Sequence, residues 1–196
     1  MPVGAPKLST GINDQIAARV RQLRAERGLS LDALAERSGV SRSMISLIER
    51  AETSPTAVVL EKLAAALDTT LAGLFEPATA PPSPVSRHAD QTVWRDPASG
   101  YIRRNVSPGG SPIQIVEVEF PAGAQVAYES GTRQPVIHHQ VWVLEGAIEV
   151  TVGGETHRLT AGDCLAFVLD KPTAYRNRTR KPARYAVVIV SSGAAA

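Results

Sequence analysis

Two adjacent histidines, His138 and His139, are the residues of this sequence that most suggest metal chemistry. They lie in the stretch VIHHQVWVLEGAIEV, residues 136–150. A catalytic divalent metal needs three or four convergent nitrogen or oxygen donors. The stretch alternates apolar and polar residues, which predicts a strand, and neighbours on a strand point to opposite faces. Only one of the two histidines can face an interior, so the pair alone is not a metal site.

The composition is that of an ordinary globular protein, with 43% apolar and 20% charged residues among 196. No apolar run approaches the roughly 20 residues that span a bilayer, and the start MPVGAPKLST lacks the apolar core of a signal peptide. The single cysteine, Cys164, cannot form an intrachain disulfide, which is typical of a reducing cytosol. We therefore expect a cytoplasmic protein with no membrane partner.

The residue pattern divides the chain into two domains. Residues 1–76 show helical periodicity, which predicts an all-α domain. The segment EPATAPPSPVS favours extended polyproline conformation, and it predicts a semi-rigid linker over residues 77–93. Residues 94–196 contain β-branched runs that alternate at a period of two between glycine and proline turns. This second pattern predicts an all-β domain.

Five short helices are predicted in the first domain. Ser30 and Ser41 stand at the N-cap positions of the second and third, with a glycine turn between these two helices. Pro55 is expected at the first position of the fourth helix, and residues 70–75 make a short fifth. The first helix carries an apolar stripe, which consists of Ile12, Ile16, Val20 and Leu23.

The second and third helices, joined by SGVS, form a helix-turn-helix in which the third helix is the recognition element. The segment LSLDALAERSGVSRSMISLIERAETSPT, followed by VLEKLAAALDTTLAGLF, resembles the XRE family of phage-repressor-like (lambda-repressor-like) DNA-binding domains over residues 12–76. The resemblance implies double-stranded DNA as the partner, with Arg42, Ser43 and Leu47 against base edges in the major groove. Leu47 can touch a thymine methyl group but cannot hydrogen-bond a base edge.

The same resemblance implies contacts with DNA phosphates and a structural ion pair between Arg24 and Glu49. Residues 1–76 contain as many acidic as basic residues, so DNA affinity requires local clustering of the basic ones. A domain of this size reads only a few base pairs, and we therefore expect a homodimer that reads an inverted-repeat operator. The residues expected near phosphates are Ser30, Ser41, Ser46, Arg50 and Thr53, and Arg37 could add its charge to those of Arg42 and Arg50.

The strand-rich half, with VWVLEGAIEVTVGGETHRLTAGDCLAF at its centre, resembles the cupin family over about residues 94–190. The resemblance implies a double-stranded β-helix, or jelly-roll, barrel. Gly146 then takes the glycine position of the first cupin motif, His139 the position of a glutamate ligand, and Thr173 that of a histidine ligand. The paired histidines of the motif fall at Arg133 and Pro135 or, with a longer spacing, at Thr132 and Gln134. Because three of the four ligand positions hold residues that bind metal poorly and the fourth is changed to His139, we expect no metal and no cofactor.

A metal-free barrel either holds one small molecule or is filled by its own side chains. By the strand register His139, Thr173 and Tyr175 face inward, and two further residues lie near the mouth. Such residues could orient a polar or anionic effector, although His139 and Tyr175 could also only satisfy each other in the core. The candidate ligand-binding residues are Tyr128, Arg133, His139, Thr173 and Tyr175. Trp142 faces outward with His138, which suggests either a subunit interface or buried core.

The sequence therefore predicts a DNA-binding transcriptional regulator whose cupin domain senses a small metabolite, dimerises, or does both. One alternative is a metal-dependent cupin enzyme that carries a DNA-binding domain and holds iron, manganese or zinc. Another is a non-sensing, antitoxin-like partner protein. We expect no catalytic residues, since the sequence contains no recognisable serine–histidine–acid triad, phosphate-binding loop or cysteine–histidine pairing.

Overall fold

In the computed structural model, which describes residues 11–76, 83–129 and 136–192, the first half of the described chain contains four α-helices. These are α1 (Ile12–Glu26), α2 (Leu31–Ser38), α3 (Arg42–Glu49) and α4 (Ala57–Ala66), and a short 3-10 helix, Ala72–Phe75, follows them. Within the described ranges, none of the helices is long and apolar enough to cross a bilayer.

Side-chain caps begin α2 and α3 where the sequence predicts them. The Ser30 hydroxyl accepts a hydrogen bond from the amide of Ala33 at 3.1 Å, and the Ser41 hydroxyl accepts one from the amide of Met44 at 3.3 Å. Gly39 ends α2 with a left-handed backbone, at a φ of 66°. The two caps and the glycine turn set the ends of α2 and α3 and thereby the angle between the two helices.

The start of α4 corrects one prediction. The helix begins at Ala57 and not at Pro55, and Thr56 is its N-cap. The Thr56 hydroxyl accepts a hydrogen bond from the amide of Val59 at 3.4 Å, and this residue has the extended backbone of a cap. The helix therefore starts where a side chain can satisfy its free amides, two residues after the proline.

The predicted fifth helix is also corrected, because it is a 3-10 helix of four residues, Ala72–Phe75. The Thr70 hydroxyl accepts a hydrogen bond from the amide of Gly73 at 2.9 Å, which tightens the turn at its start. A segment this short, with a glycine inside it, gains little from the α-helical bonding pattern. The described part of the helical domain thus has four α-helices and not five.

The second half forms two antiparallel sheets from ten strands within the described residues. The six-stranded sheet has the order β1-β2-β3-β10-β5-β8, and the four-stranded sheet has the order β4-β9-β6-β7. The strands are β1 (Val93–Arg95), β2 (Ile102–Asn105), β3 (Ile113–Phe120), β4 (Gln125–Tyr128), β5 (Val136–Glu145), β6 (Ala147–Val152), β7 (Glu155–Thr160), β8 (Cys164–Val168), β9 (Thr173–Arg176) and β10 (Ala183–Ser192).

The turn between β5 and β6 requires glycine. Gly146 has a φ of 77°, and a Cβ atom built there would lie 2.9 Å from the carbonyl oxygen of Pro182. A side chain would therefore be strained both by the backbone angle and by this neighbour. The residue coincides with the glycine of the first cupin motif, so the resemblance and the local geometry agree here.

The helical half packs directly on the β half. The ring of Phe75, in the 3-10 helix, lies 5.4 Å from that of Trp94 on β1. Asn105 on β2 donates a hydrogen bond to the carbonyl oxygen of Ala72 at 3.1 Å. Residues 77–82 of the predicted linker lie outside the described residues, but the described chain on either side of them meets in one continuous apolar core.

A buried carboxylate of the β half caps a helix of the other half. Asp96 is only 1% exposed, and its Oδ1 atom accepts a hydrogen bond from the amide of Ala57 at 2.9 Å. Its Oδ2 atom accepts two more bonds, from the amide and the hydroxyl of Ser99, at 2.8 and 2.5 Å. Asp96 thus satisfies a free amide in the first turn of α4 and adds negative charge there.

Replacement of Asp96 by alanine is expected to lower the free energy of unfolding by about 1–3 kcal/mol, because it leaves buried amides without an acceptor. Urea denaturation followed by circular dichroism measures the loss. Asp90→Ala, at an exposed acid close by in the sequence, is the matched control and should leave stability unchanged. Equal stabilities for the two variants would contradict the capping role.

Candidate DNA-binding surface and internal cavity

The third helix presents its N-terminal face outward because its apolar residues are used inside. Ile45 and Ile48 are buried in the helical core, which fixes the rotation of α3. Arg42 and Ser43 are exposed as a result, and Leu47 is half-buried beside them. The three residues predicted to face base edges therefore lie together on one side of α3.

The serines and the threonine of the predicted phosphate set have local partners of their own. Ser30 and Ser41 accept helix-capping bonds, and the hydroxyls of Ser41 and Ser43 lie 3.2 Å apart. Ser46 accepts a hydrogen bond from Arg50, and Thr53 is half-buried in the segment between α3 and α4. Because α3 has no acidic residue in its first turn, its free amides retain a positive potential at this end.

Each of the three candidate arginines is paired with an acid on the protein surface. The Nε atom of Arg42 lies 3.1 Å from the nearer Asp32 oxygen. Arg50 binds both carboxylate oxygens of Glu52, at 2.8 and 2.9 Å. The remaining pair joins Arg37 and Asp68 at 2.7 Å. Exposed pairs of this kind contribute little to stability and are screened by salt, so a phosphate can replace the carboxylate.

The ion pair that the resemblance implies between Arg24 and Glu49 is present. Arg24 donates through Nε and one terminal nitrogen to the two Glu49 oxygens, at 2.6 and 2.8 Å. Its other terminal nitrogen donates to the carbonyl oxygen of Leu29 at 2.9 Å. The hydrogen bond with Glu49 raises the pKa of Arg24. This pair joins α1 to α3 from the inside, so Arg24 is not available to DNA.

A cavity of about 70 Å³ lies between the two sheets and the helical half. Of the residues predicted to bind a ligand, Tyr128, His139, Thr173 and Tyr175 line it, whereas Arg133 lies outside the described residues. The volume is enough for several water molecules or for one compact ligand. The structure thus brings together four residues that come from three separate strands.

The two histidines of β5 face opposite sides of the sheet, as the strand pattern predicts. His138 is exposed, and His139 lines the cavity with its ring 5.5 Å from that of Phe167. In the parts of the chain that the structure describes, no group of three or more histidine, cysteine, aspartate or glutamate residues could hold a metal ion. The positions of the paired histidines of the cupin motif, 132–135, lie outside these parts.

Four tyrosines line the cavity. The hydroxyls of Tyr101 and Tyr128 lie 3.1 Å apart, and the rings of Tyr175 and Tyr185 stack at 6.0 Å. Burial raises the pKa of each of these four phenols, so all four stay protonated near neutral pH. The cavity therefore offers neutral hydroxyl groups to a ligand.

Sequence reasoning missed the two buried charges in the wall. Glu61 on α4 is 8% exposed and Arg103 on β2 is 5% exposed. Thr70 and Leu71, also from the helical half, line the same space. The available clue was that Glu61 interrupts the apolar helix AVVLEKLAAA, but no sequence pattern brings it next to a strand.

Both halves of the chain are similar to known protein families. The family model described as "Helix-turn-helix" matches residues 20–74, and the model described as "Cupin domain" matches residues 116–190. The crystal structure of an HTH_3 family transcriptional regulator from Vibrio cholerae has a TM-score of 0.74 and 29% identity, and it covers 93% of this chain and 98% of that one. Residues 20–74 of this chain are thus similar to helix-turn-helix domains and residues 116–190 to cupin domains.

Two curated relatives are similar to this chain along most of their length. The HTH-type transcriptional regulator SutR of Escherichia coli K12 is 28% identical over 162 residues, which are 83% of this chain and 86% of SutR. The HTH-type transcriptional regulator PuuR of the same organism is 29% identical over 165 residues, 81% of this chain and 85% of PuuR. The predicted resemblance to an XRE-type regulator with a cupin domain is confirmed.

Within the helix-turn-helix domain, the Arg24–Glu49 pair is expected to carry much of the stability of α3. Glu49→Gln leaves the partly buried Arg24 without its counter-charge and should lower the free energy of unfolding by about 1–3 kcal/mol. Urea denaturation of the full chain measures this loss. Glu52→Gln, the same change at the exposed partner of Arg50, is the control and should leave stability unchanged. Equal losses in both variants would mean that the Arg24–Glu49 pair contributes no more to the free energy of unfolding than an exposed pair does.

Proposed function

We propose that this protein is a homodimeric, sequence-specific DNA-binding regulator whose cupin cavity binds a small effector. The observation that carries the proposal is the exposed N-terminal face of α3, with Arg42 and Ser43 beside Leu47. The Arg24–Glu49 pair holds this face from behind. The relatives described above are named transcriptional regulators, which supports a regulatory and not a catalytic role.

In this proposal the N-terminal half of α3 enters the major groove. Arg42 and Ser43 meet base edges, and Leu47 contacts a thymine methyl group. When DNA binds, its phosphates replace the surface acids that pair with the exposed arginines, among them Asp32 and Glu52. The negatively charged duplex repels these acids. The residues proposed to bind phosphates are Ser30, Arg37, Ser41, Ser46, Arg50 and Thr53.

Arg42→Gln is expected to weaken binding to the preferred duplex by about tenfold or more, because a base contact contributes about 1–3 kcal/mol. The duplex is first selected from a random pool, and affinity is then measured by gel-shift titration at constant salt. Arg158→Gln removes the same charge at a site on β7 whose side chain is 81% exposed, and it should not change affinity. If both variants weaken binding equally, α3 is not the recognition helix.

The outer face of the six-stranded sheet supports the dimer. Ile113 and Ile115 on β3 are 47% and 37% exposed, and Trp142 on β5 is 49% exposed. Between them, on β10, Val188 pairs with Ile115 and Val190 pairs with Ile113, so the apolar residues run across neighbouring strands. Monomeric proteins rarely expose a contiguous apolar surface of this kind.

A second copy of the chain is the occupant that we propose for this outer face. A helix-turn-helix regulator gains its specificity from two half-sites about one turn of DNA apart. A twofold contact through the β halves leaves both α3 helices free for the duplex. The same patch on both subunits then forms an isologous interface.

Trp142→Glu is expected to convert the dimer into a monomer, because it places a carboxylate in the proposed apolar contact. Sedimentation velocity reports the state of the protein, and gel-shift titration should show weaker binding to the inverted repeat. Val85→Glu, at a residue 50% exposed before β1, introduces the same charge and should remain dimeric. A dimeric Trp142→Glu protein or a monomeric wild type would refute this interface.

The cavity supports the effector part of the proposal because its wall comes from both halves of the chain. Glu61, Thr70 and Leu71 belong to the helical half, and the remaining lining residues belong to the β half. A ligand that fits one arrangement of the two halves better than another shifts their equilibrium by that difference in affinity. In a dimer, such a shift changes the separation of the two recognition helices and hence the affinity for the operator.

A further inference from the structure

Arg103 on β2 is a buried cation that forms no ion pair with an acidic side chain of the described residues, and the carboxylate of Glu61 lines the same cavity. Every aspartate and glutamate of the sequence lies within the described ranges, and none of the ion pairs there includes Arg103. Its Nε atom has no hydrogen-bond partner among the described residues. Its guanidinium carbon lies 4.8 Å from the centre of the Phe75 ring, which stabilises the charge only in part.

An unpaired buried charge is costly to a folded protein unless something compensates for it. Arg103 lines the cavity, so a ligand in the cavity can supply the counter-charge. The Thr173 hydroxyl oxygen is also buried and has no hydrogen-bond partner in the described chain. Together with the protonated tyrosine hydroxyls, it gives the cavity hydrogen-bond donors beside the positive charge of Arg103. The carboxylate of Glu61, which has an interaction of its own, lies in the same wall.

A large part of the wall is apolar, which favours an organic ligand over an inorganic ion. Val116, Val118, Ile137 and Leu169 line the same space. Such a surface favours a short hydrocarbon chain over an inorganic ion, and the volume of about 70 Å³ limits the ligand to a few heavy atoms. The planar guanidinium matches the two oxygens of a carboxylate.

We propose that the cavity binds a small organic carboxylate whose charged end pairs with Arg103. The inference rests on the proposed role of the cavity as an effector site, and it names the class of effector. Because Arg103 stacks on Phe75 of the helical half, the bound carboxylate acts at the junction between the two halves.

Isothermal titration calorimetry on the full-length wild type tests the ligand class. The panel consists of acetate, propionate, butyrate and pyruvate, with acetamide and propionamide as neutral analogues of the same shape and ethylamine and propylamine as cations. At least one carboxylate is expected to bind at least about tenfold more tightly than its amide, since one charge-assisted pair distinguishes them. If no carboxylate binds at about 10 mM, or if the amides or amines bind as well, the proposal is wrong.

Arg103→Gln separates a ligand-binding role from a structural one. The variant is expected to lose at least about tenfold in carboxylate affinity, while the thermal midpoint of the ligand-free protein stays the same or rises, because an uncompensated charge is removed. A structural role would instead lower that midpoint and leave affinity unchanged. Arg104→Gln is the control, as a neighbour on the same strand that is absent from the cavity wall, and it should change neither quantity.

The gel-shift titration, repeated with the carboxylate that binds, distinguishes this inference from the proposed function. Binding of amines in place of carboxylates, with a response in operator affinity, would overturn the ligand class and leave the sensing regulator intact. Loss of any duplex preference in the wild type would overturn the proposed function, and calorimetry would still decide whether carboxylates bind. If Arg103→Gln does not fold, the comparison of carboxylates with amides in the wild type decides the inference.

Discussion

The contact between Phe75 and Trp94 is the interaction on which the rest of the structure depends. The two rings lie 5.4 Å apart and join the core of the helical half to that of the sheets. The guanidinium carbon of Arg103 lies 4.8 Å from the centre of the same Phe75 ring. Because the halves share one interior, the cavity has a wall from each of them, and the position of the helices is coupled to what the sheets enclose.

The charges of the helical half fall into two classes, which serve different ends. The Arg24–Glu49 pair is largely buried, carries two hydrogen bonds and fixes α3 against α1. The pair of Arg42 with Asp32 is exposed, with side-chain accessibilities of 60% and 76%. Burial makes the first pair expensive to break, and exposure makes the second easy to exchange for a phosphate. The fold thus keeps its stabilising arginine apart from the exposed arginine that we propose faces DNA.

Most of the secondary structure, and the orientation of many site residues, could be predicted because they follow from local periodicity. The caps at Ser30 and Ser41 and the opposite faces of His138 and His139 depend only on neighbouring residues. The start of α4 was misplaced because several nearby residues can cap, and the choice of Thr56 depends on its geometry. Glu61 and Arg103 could not be predicted as neighbours of one cavity, since their proximity is a product of tertiary packing alone.

The shared wall of the cavity has a consequence for how such proteins can be recombined. Glu61, Thr70 and Leu71 would be left behind if the cupin half were fused to a foreign DNA-binding domain. The transplanted sheets would then enclose a cavity of different shape. That cavity would lack the wall from the helical half and, with it, the carboxylate of Glu61. Asp96 would also face a new helix with no matching amide. The shape and charge of this cavity are therefore properties of the whole chain, and an exchange of domains would require redesign of the contact between the two halves.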